Sequence, residues 1–250
     1  MLFSSLVFLF TFLPITLLVY YLVPRKVKNV VLLIASLIFY AWGEPVYIFL
    51  MLISILFNYF CGMDIALKAG RKSQVRSLIF TIVVNLFILG FFKYYGFIVT
   101  NLNAILPFYI PYRKLELPIG ISFYTFQTLG YVIDVYKGKT KACRHFGKYA
   151  AFVSFFPLLL AGPIERAEHL MPQIEEEHHF EYDKAIRGTK LIAWGYFKKI
   201  AIADVLSSSV DIVYNQVTSF TGLALGVATL FYAFQVYCDF SGYSDIARGV

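Results

Sequence analysis

From Leu2 to Val23 the chain runs for 22 residues without a charge. As helix such a run is about 33 Å long, enough to cross the hydrocarbon of a bilayer. It lacks a basic start, is too long for the apolar part of a signal peptide, and is followed at once by Pro24-Arg25-Lys26. This pattern predicts an uncleaved first span with its N-terminus outside and Arg25, Lys26 and Lys28 in the cytoplasm. Further apolar runs follow it. The expected fold is therefore all-α, a polytopic transmembrane helical bundle with re-entrant or interfacial helices.

Composition leads the same way. The chain is 59% hydrophobic and 15% charged, with a mean hydropathy of +0.69, against about 45–50% apolar and about 25% charged in soluble domains. Polar surface is too scarce to cover it, so the lipid bilayer is its first partner. The 26 Phe and 19 Tyr suit interfacial belts. The formal charge of +7 fits basic cytoplasmic loops, and no RNA- or DNA-binding motif accompanies it, so no nucleic-acid partner is expected. Cys61, Cys143 and Cys238 are odd in number and lack ligand spacing, which gives neither a disulfide framework nor a metal site. Cys238 reads as a small apolar filler.

Val30 to Trp42 is short for a span and is broken by Gly43-Glu44-Pro45, and Val46 to Met63 returns, so the two read as a helical hairpin whose turn lies outside. Lys68, Arg71, Lys72 and Arg76 make a basic loop inside, and Leu78 to Val99 crosses outward again. Lys93 near its far end either snorkels between aromatic anchors or serves as a buried ion-pair partner. Asn101 to Glu116, with Pro107 and Pro111, is an outside loop. Leu117 to Tyr136 crosses inward, and Lys137, Lys139, Lys141, Arg144 and Lys148 form the most basic loop, placed in the cytoplasm.

Ala150 to Ile164 is too short to cross and carries Pro157 and Gly162-Pro163, so it reads as re-entrant or half-inserted. Glu165 to Lys190 is a polar loop whose side stays open. Glu175-Glu176-Glu177-His178-His179 at its centre reads as solvated rather than metal-binding, because no i,i+4 histidine spacing is present. Leu191 to Val205 is expected to be an amphipathic or short membrane helix, ended at the interface by Lys198-Lys199 and Asp204. Ser207 to Thr221 is a polar connection into the last helix, Gly222 to Val250.

That last helix turns polar on one face. Tyr232, Gln235, Asp239 and Tyr243 recur at spacings that form one stripe. A carboxylate in lipid costs roughly 2.5–3.5 kcal/mol even on a lenient scale. The stripe is therefore expected to face other helices or a water-filled cavity, unless Asp239 simply reaches the headgroups. Ser241-Gly242-Tyr243-Ser244-Asp245 is expected to weaken the helix. Tyr124, Gln127, Tyr131 and Asp134 make a second stripe with a similar rhythm. Facing each other, the two stripes could line a tunnel for a sugar or a pantetheine arm, or make a structural network. Asp134 also has a structural reading, as a partner of Lys137. The candidate tunnel or support residues are Tyr124, Gln127, Tyr131, Asp134, Tyr232, Gln235, Asp239, Ser241 and Tyr243, with no metal ligand among them. No nucleophilic triad is visible, and His145, His169, His178 and His179 all fall in polar stretches. Within the bilayer only Asp134 or Asp239 could act as a base, or equally as a neutral donor.

Four blocks then carry a resemblance. Leu117-Pro118-Ile119-Gly120-Ile121-Ser122-Phe123-Tyr124-Thr125-Phe126-Gln127 is the first, and Pro157 through Ala161-Gly162-Pro163-Ile164-Glu165-Arg166 the second. Gly195-Tyr196-Phe197-Lys198-Lys199 with Ile202-Ala203-Asp204 is the third, and Tyr237-Cys238-Asp239-Phe240-Ser241-Gly242-Tyr243-Ser244-Asp245-Ile246-Ala247 the fourth. In this order they resemble the membrane-bound O-acyltransferase family, in its alginate O-acetylation branch, with the teichoic-acid D-alanyl transfer proteins as more distant cousins.

The resemblance implies transfer of an acyl group from a cytoplasmic thioester, with acetyl-CoA as donor and no resident cofactor. The acceptor would be a hydroxyl of an exported polysaccharide such as alginate, or an extracytoplasmic acetyltransferase partner. It also implies a multi-pass protein of the bacterial cytoplasmic membrane. The family's base is an intramembrane histidine downstream of the fourth block, and no histidine here matches it. The chain is thus expected to be the N-terminal part of a single such domain, without turnover of its own and with no catalytic residue assignable. The rival reading is a transporter or scaffold subunit, since broken helices and intramembrane carboxylates also serve transport.

Overall fold

In a computed structural model of the chain, residues 5–111, 115–160, 162, 165–176 and 178–250 are described. Leu2 to Ser4 of the first apolar run, Ala161, Pro163 and Ile164 of the second block, and Glu177 of the acidic tract lie outside the described residues. The described helices, in chain order, begin with α1 (Leu13–Leu22), entered through a π turn at Phe8–Phe12. Then come α2 (Arg25–Gly43), α3 (Ile48–Leu67), α4 (Arg71–Ile105), α5 (Ile121–Tyr136), α6 (Phe146–Ser154), α7 (Phe156–Leu159) and α8 (Ala167–Glu175). The last three are α9 (Tyr182–Tyr196), α10 (Asp204–Tyr214) and α11 (Gly222–Gly249), with a π turn at Phe197–Ala203 between α9 and α10. Among the described residues there is no strand, so the architecture is an all-α membrane bundle. Four of its helices, α2, α3, α4 and α11, are long and apolar enough to cross a membrane.

The chain divides into two compact units. One holds α2 to α8. Its core gathers Met51 and Ile55 of α3, Tyr131 and Val132 of α5, and Tyr149 and Phe152 of α6, all fully buried. The Tyr131 and Tyr149 rings lie 4.7 Å apart. Between α3 and α4 the buried amides of Asn58 and Asn85 exchange hydrogen bonds of 3.1 and 2.8 Å. In lipid a lone amide would be costly, and each Asn supplies what the other lacks.

The other unit contains α1 and α9 to α11. Here α9 and α11 run antiparallel at very close range. A Cβ on Gly195 would lie 2.6 Å from the Gly242 carbonyl oxygen, and one on Gly242 would lie 2.8 Å from that of Gly195. Gly188 and Gly249, one heptad away on each helix, meet in the same manner. Small residues permit such approach where no hydrophobic force between helices exists.

Several expected boundaries shift. Arg71, Lys72 and Arg76 lie not in a loop but in the first turns of α4, which continues to Ile105. The segment Leu117 to Tyr136 is not a plain span. Its helix starts at Ile121, and 16 residues make only about 24 Å, less than the hydrocarbon width. Gly120 sets that start, with φ 77° and a Cβ position 2.6 Å from the Leu159 carbonyl oxygen. Only glycine fits both demands.

The re-entrant reading of Ala150 to Ile164 meets a helix broken at Phe155, not at Pro157. Pro157 falls in the first turn of α7, where its missing N–H costs little. Glu165 to Lys190 is no continuous loop, since α8 and the start of α9 occupy much of it, and His169 lies on α8. Ser207 to Thr221 likewise opens as helix α10. The Ser241–Asp245 stretch stays helical within α11, because its small residues serve the contact with α9 rather than a break.

Candidate functional site

The candidate residues fall into two sets, one in each unit. In the unit of α2 to α8, the stripe of α5 is buried along its whole length: Tyr124, Gln127, Tyr131 and Asp134 are at most 4% exposed. Gln127 donates from Nε2 to the Phe152 carbonyl at 2.9 Å, joining α5 to α6. The Tyr131 hydroxyl accepts the Cys143 N–H at 2.9 Å. Asp134 does not pair with Lys137. Its carboxylate, 4% exposed, meets Arg166 at 3.5 Å. The backbone turn after α5 puts Lys137 at the helix cap instead, while the Asp134 carbonyl accepts the Lys139 N–H at 2.9 Å. An ion pair thus ties the end of α5 to Arg166 of the second block, the residue capping α8.

Beside this stripe lie polar atoms with no hydrogen-bonding partner. The buried hydroxyls of Tyr124 and of Tyr40 on α2 are both in this state, and the two phenols are within electrostatic range of each other. The Tyr149 hydroxyl on α6 is also buried without a partner. Burial pushes the Tyr149 phenol well above its ordinary value, with the neighbouring Tyr131 adding to the effect. It stays neutral and able to donate.

In the other unit the third and fourth blocks clasp each other. Lys198 and Lys199 are adjacent on the π turn after α9, and both reach α11. Lys198 Nζ is 2.5 Å from Asp245 Oδ2 and donates to Ser241 Oγ at 2.5 Å. Lys199 Nζ sits between Asp239 Oδ1 at 2.5 Å and Asp204 Oδ1 at 2.9 Å. Burial alone would lower the Lys199 pKa, but the hydrogen bonds to Asp239 and Asp204 outweigh it and raise the value. Single π turns are often found where a helix must present side chains for a task. Of the lysines expected to mark a helix end at the interface, Lys199 is the counter-charge of Asp239 in the α11 stripe and Lys198 that of Asp245 beyond it.

The stripe as a whole is only partly sheltered, and the Asp239 side chain is itself 53% exposed. Tyr232 is half exposed and lies edge-on to Tyr214 at 6.3 Å. Gln235 keeps a buried Oε1 without a hydrogen-bond partner. Tyr243 is partly buried, one turn beyond Asp239. Cys238 is buried as an apolar filler would be. Both carboxylates that could act as bases at membrane depth, Asp134 and Asp239, are therefore matched with a cation. Such pairs hold helices in register and lower the cost of a charge near lipid.

Sequence reasoning passed over Asn58, Asn85 and the pairing role of Arg166. For the two asparagines a signal existed, an isolated amide within an apolar span. Arg166 carried none, since nothing in its spacing points to Asp134.

Comparison with known proteins adds the following. Residues 143–250 match the model of the MBOAT, membrane-bound O-acyltransferase family, a region holding the second, third and fourth blocks. Over its whole length the chain is 43% identical to a "probable alginate O-acetylase AlgI" of Azotobacter vinelandii, covering 51% of that protein. It is 42% identical to the protein of the same description from Pseudomonas aeruginosa, covering 49% of it. With a "peptidoglycan O-acetyltransferase" of Helicobacter pylori the identity is 34% and the coverage 53%. The chain spans about half the length of the curated relatives it matches.

Proposed function

The chain belongs to the membrane-bound O-acyltransferase family, and from that premise we propose that the protein containing it acetylates hydroxyls of an exported polysaccharide. The acyl group would come from a cytoplasmic thioester, acetyl-CoA, and leave on a sugar hydroxyl or through an extracytoplasmic acetyltransferase partner. The observation that carries this reading is the similarity across the entire chain to proteins described as alginate and peptidoglycan O-acetylases. The geometry supports a scaffolding share of the work for this half. Its intramembrane carboxylates are paired, Gln127 bonds to a neighbouring helix, and no histidine lies on any of the four spanning helices.

In that scheme Lys199 and Asp239 position the end of α11, and Tyr124 with Tyr40 offers neutral hydroxyls to a polar guest. A base for the acceptor hydroxyl would come from a histidine beyond Val250, as the family resemblance implies, and a dry passage would limit thioester hydrolysis.

The test is direct. The full-length protein is expressed in a host whose exported polysaccharide lacks acetyl groups, and ester-linked acetate is quantified. Acetate on the polymer is the expected result. Normal membrane expression with no acetate on the polymer refutes acetyl transfer. Asp239→Asn in the same system separates positioning from chemistry: a role confined to positioning predicts reduced acetylation that a Lys199→Gln exchange reproduces.

A further inference from the structure

A cavity of about 300 Å³ lies in the unit of α2 to α8, at the basic end of α2. Lys26, Asn29, Val30 and Leu33 of α2 line one side, and His145 with the first turn of α6, including Lys148, lines the other. Three independent features converge on it. The first is charge: Lys26 and Lys148 both border the cavity. Lys148 is also 3.0 Å from Glu175, so that carboxylate offsets one of the two cations and leaves the site positive.

The second is the start of α6, a nine-residue helix whose N-terminus has no side-chain cap. Its amides and dipole favour an anion there. The third is rigidity. Asn29 Nδ2 donates to the Ile174 carbonyl at 2.9 Å, which anchors the wall of the cavity to α8. Depth adds a constraint. α2 is a candidate membrane span, so Lys26 in its first turn sits at headgroup level. Val30 and Leu33 continue down the apolar flank.

We propose that this cavity binds a phosphate group at the membrane surface. The oxygens of one tetrahedral centre face a lysine, an imidazole and a helix N-terminus from three directions, whereas a carboxylate offers its acceptors in one plane. Two sources share this chemistry, an anionic lipid whose acyl chain would follow Val30 and Leu33, and a soluble phosphate compound. Nothing in this proposal depends on acyl transfer, and its test reads binding alone.

The full-length protein in detergent is titrated with phosphatidylglycerol and, separately, with phosphatidylcholine, and adducts are counted by native mass spectrometry. A parallel sample is titrated with inorganic phosphate and followed by thermal shift. Removal of one cation near an anionic surface weakens binding about fivefold. Lys26→Gln is therefore expected to bind about fivefold more weakly than the parent, and Lys72→Gln, outside the cavity, to bind as the parent does. The pair Lys148→Gln with Glu175→Gln removes a matched cation and anion, so it is expected to weaken binding less than Lys26→Gln does. Preference for phosphatidylglycerol that these variants lose assigns the site to a lipid. Protection by inorganic phosphate alone, lost in the same variants, assigns it to a soluble ligand. Binding of neither probe, or binding equal in parent and variants, overturns the proposal.

Discussion

Lys198 and Asp245 are among the most sheltered charges in the chain, with side chains 11% and 16% exposed. Removing one member of such a pair leaves the other charge uncompensated, which costs about 3–5 kcal/mol. Lys198→Met is expected to lower the midpoint of thermal unfolding in detergent, and Lys198→Met with Asp245→Leu to recover most of the loss. Equal midpoints for the parent and Lys198→Met would contradict this pairing. Lys199 behaves differently because it is more open to solvent. Its folded pKa is raised, so its contribution to stability is complete below the unfolded value of about 10.4 and is lost as pH climbs through the folded value. The difference in unfolding midpoint between the parent and Lys199→Gln should thus hold steady from neutral pH to about pH 9, then shrink in stronger alkali. A difference that grows above that range would reverse the sign assigned here.

Among the elements, α9 and α11 are fixed by glycine contacts and α3 and α4 by an amide pair. A methyl group on Gly195 or Gly242 would press on backbone, which cannot step aside as a flexible side chain can. Gly242→Ala is therefore expected to cost about 1–3 kcal/mol, read as a lower unfolding midpoint. Gly226→Ala, on the same helix with open space around it, should be neutral or stabilising. The asparagine pair predicts a non-additive pattern. Asn58→Leu strands the Asn85 amide and should cost about 1–2 kcal/mol, whereas Asn58→Leu with Asn85→Leu should cost less than the sum of the single changes. Additive losses would mean that the two amides act independently.

At the scale of the molecule, α4 sets a ruler. Its 35 residues extend about 52 Å, well beyond the ~30 Å of hydrocarbon. Both ends must then emerge, with Arg71, Lys72 and Arg76 on one side. Single cysteines at Arg76 and at Asn101, in a background without Cys61, Cys143 and Cys238, should react with a membrane-impermeant thiol reagent from opposite sides. The positive-inside rule assigns Arg76 to the cytoplasm. Labelling of both from one side would remove α4 as a span.

Much of this was legible in the chain itself. Apolar run length gives α3, α4 and α11, because a bilayer admits few ways to satisfy a backbone. Val30 to Trp42 is short by itself, and α2 reaches spanning length only by taking in Arg25 to Asn29, while the runs at Leu2 to Val23 and Leu117 to Tyr136 form shorter helices among the described residues. Gly43-Glu44-Pro45 marks the break between α2 and α3, and the period of Tyr124, Gln127, Tyr131 and Asp134 puts them on one buried face. What each polar group meets is a matter of tertiary structure. Asp134 takes Arg166 over the nearby Lys137, and Asp239 takes Lys199 from another helix, because helix packing brings distant cations closer than sequence neighbours. Gly242 looks like a helix breaker by local propensity, yet it is a contact surface once Gly195 lies against it. Propensity acts within a turn or two of helix, while ion pairs and close packing join residues tens of positions apart, and only the folded chain supplies those partners.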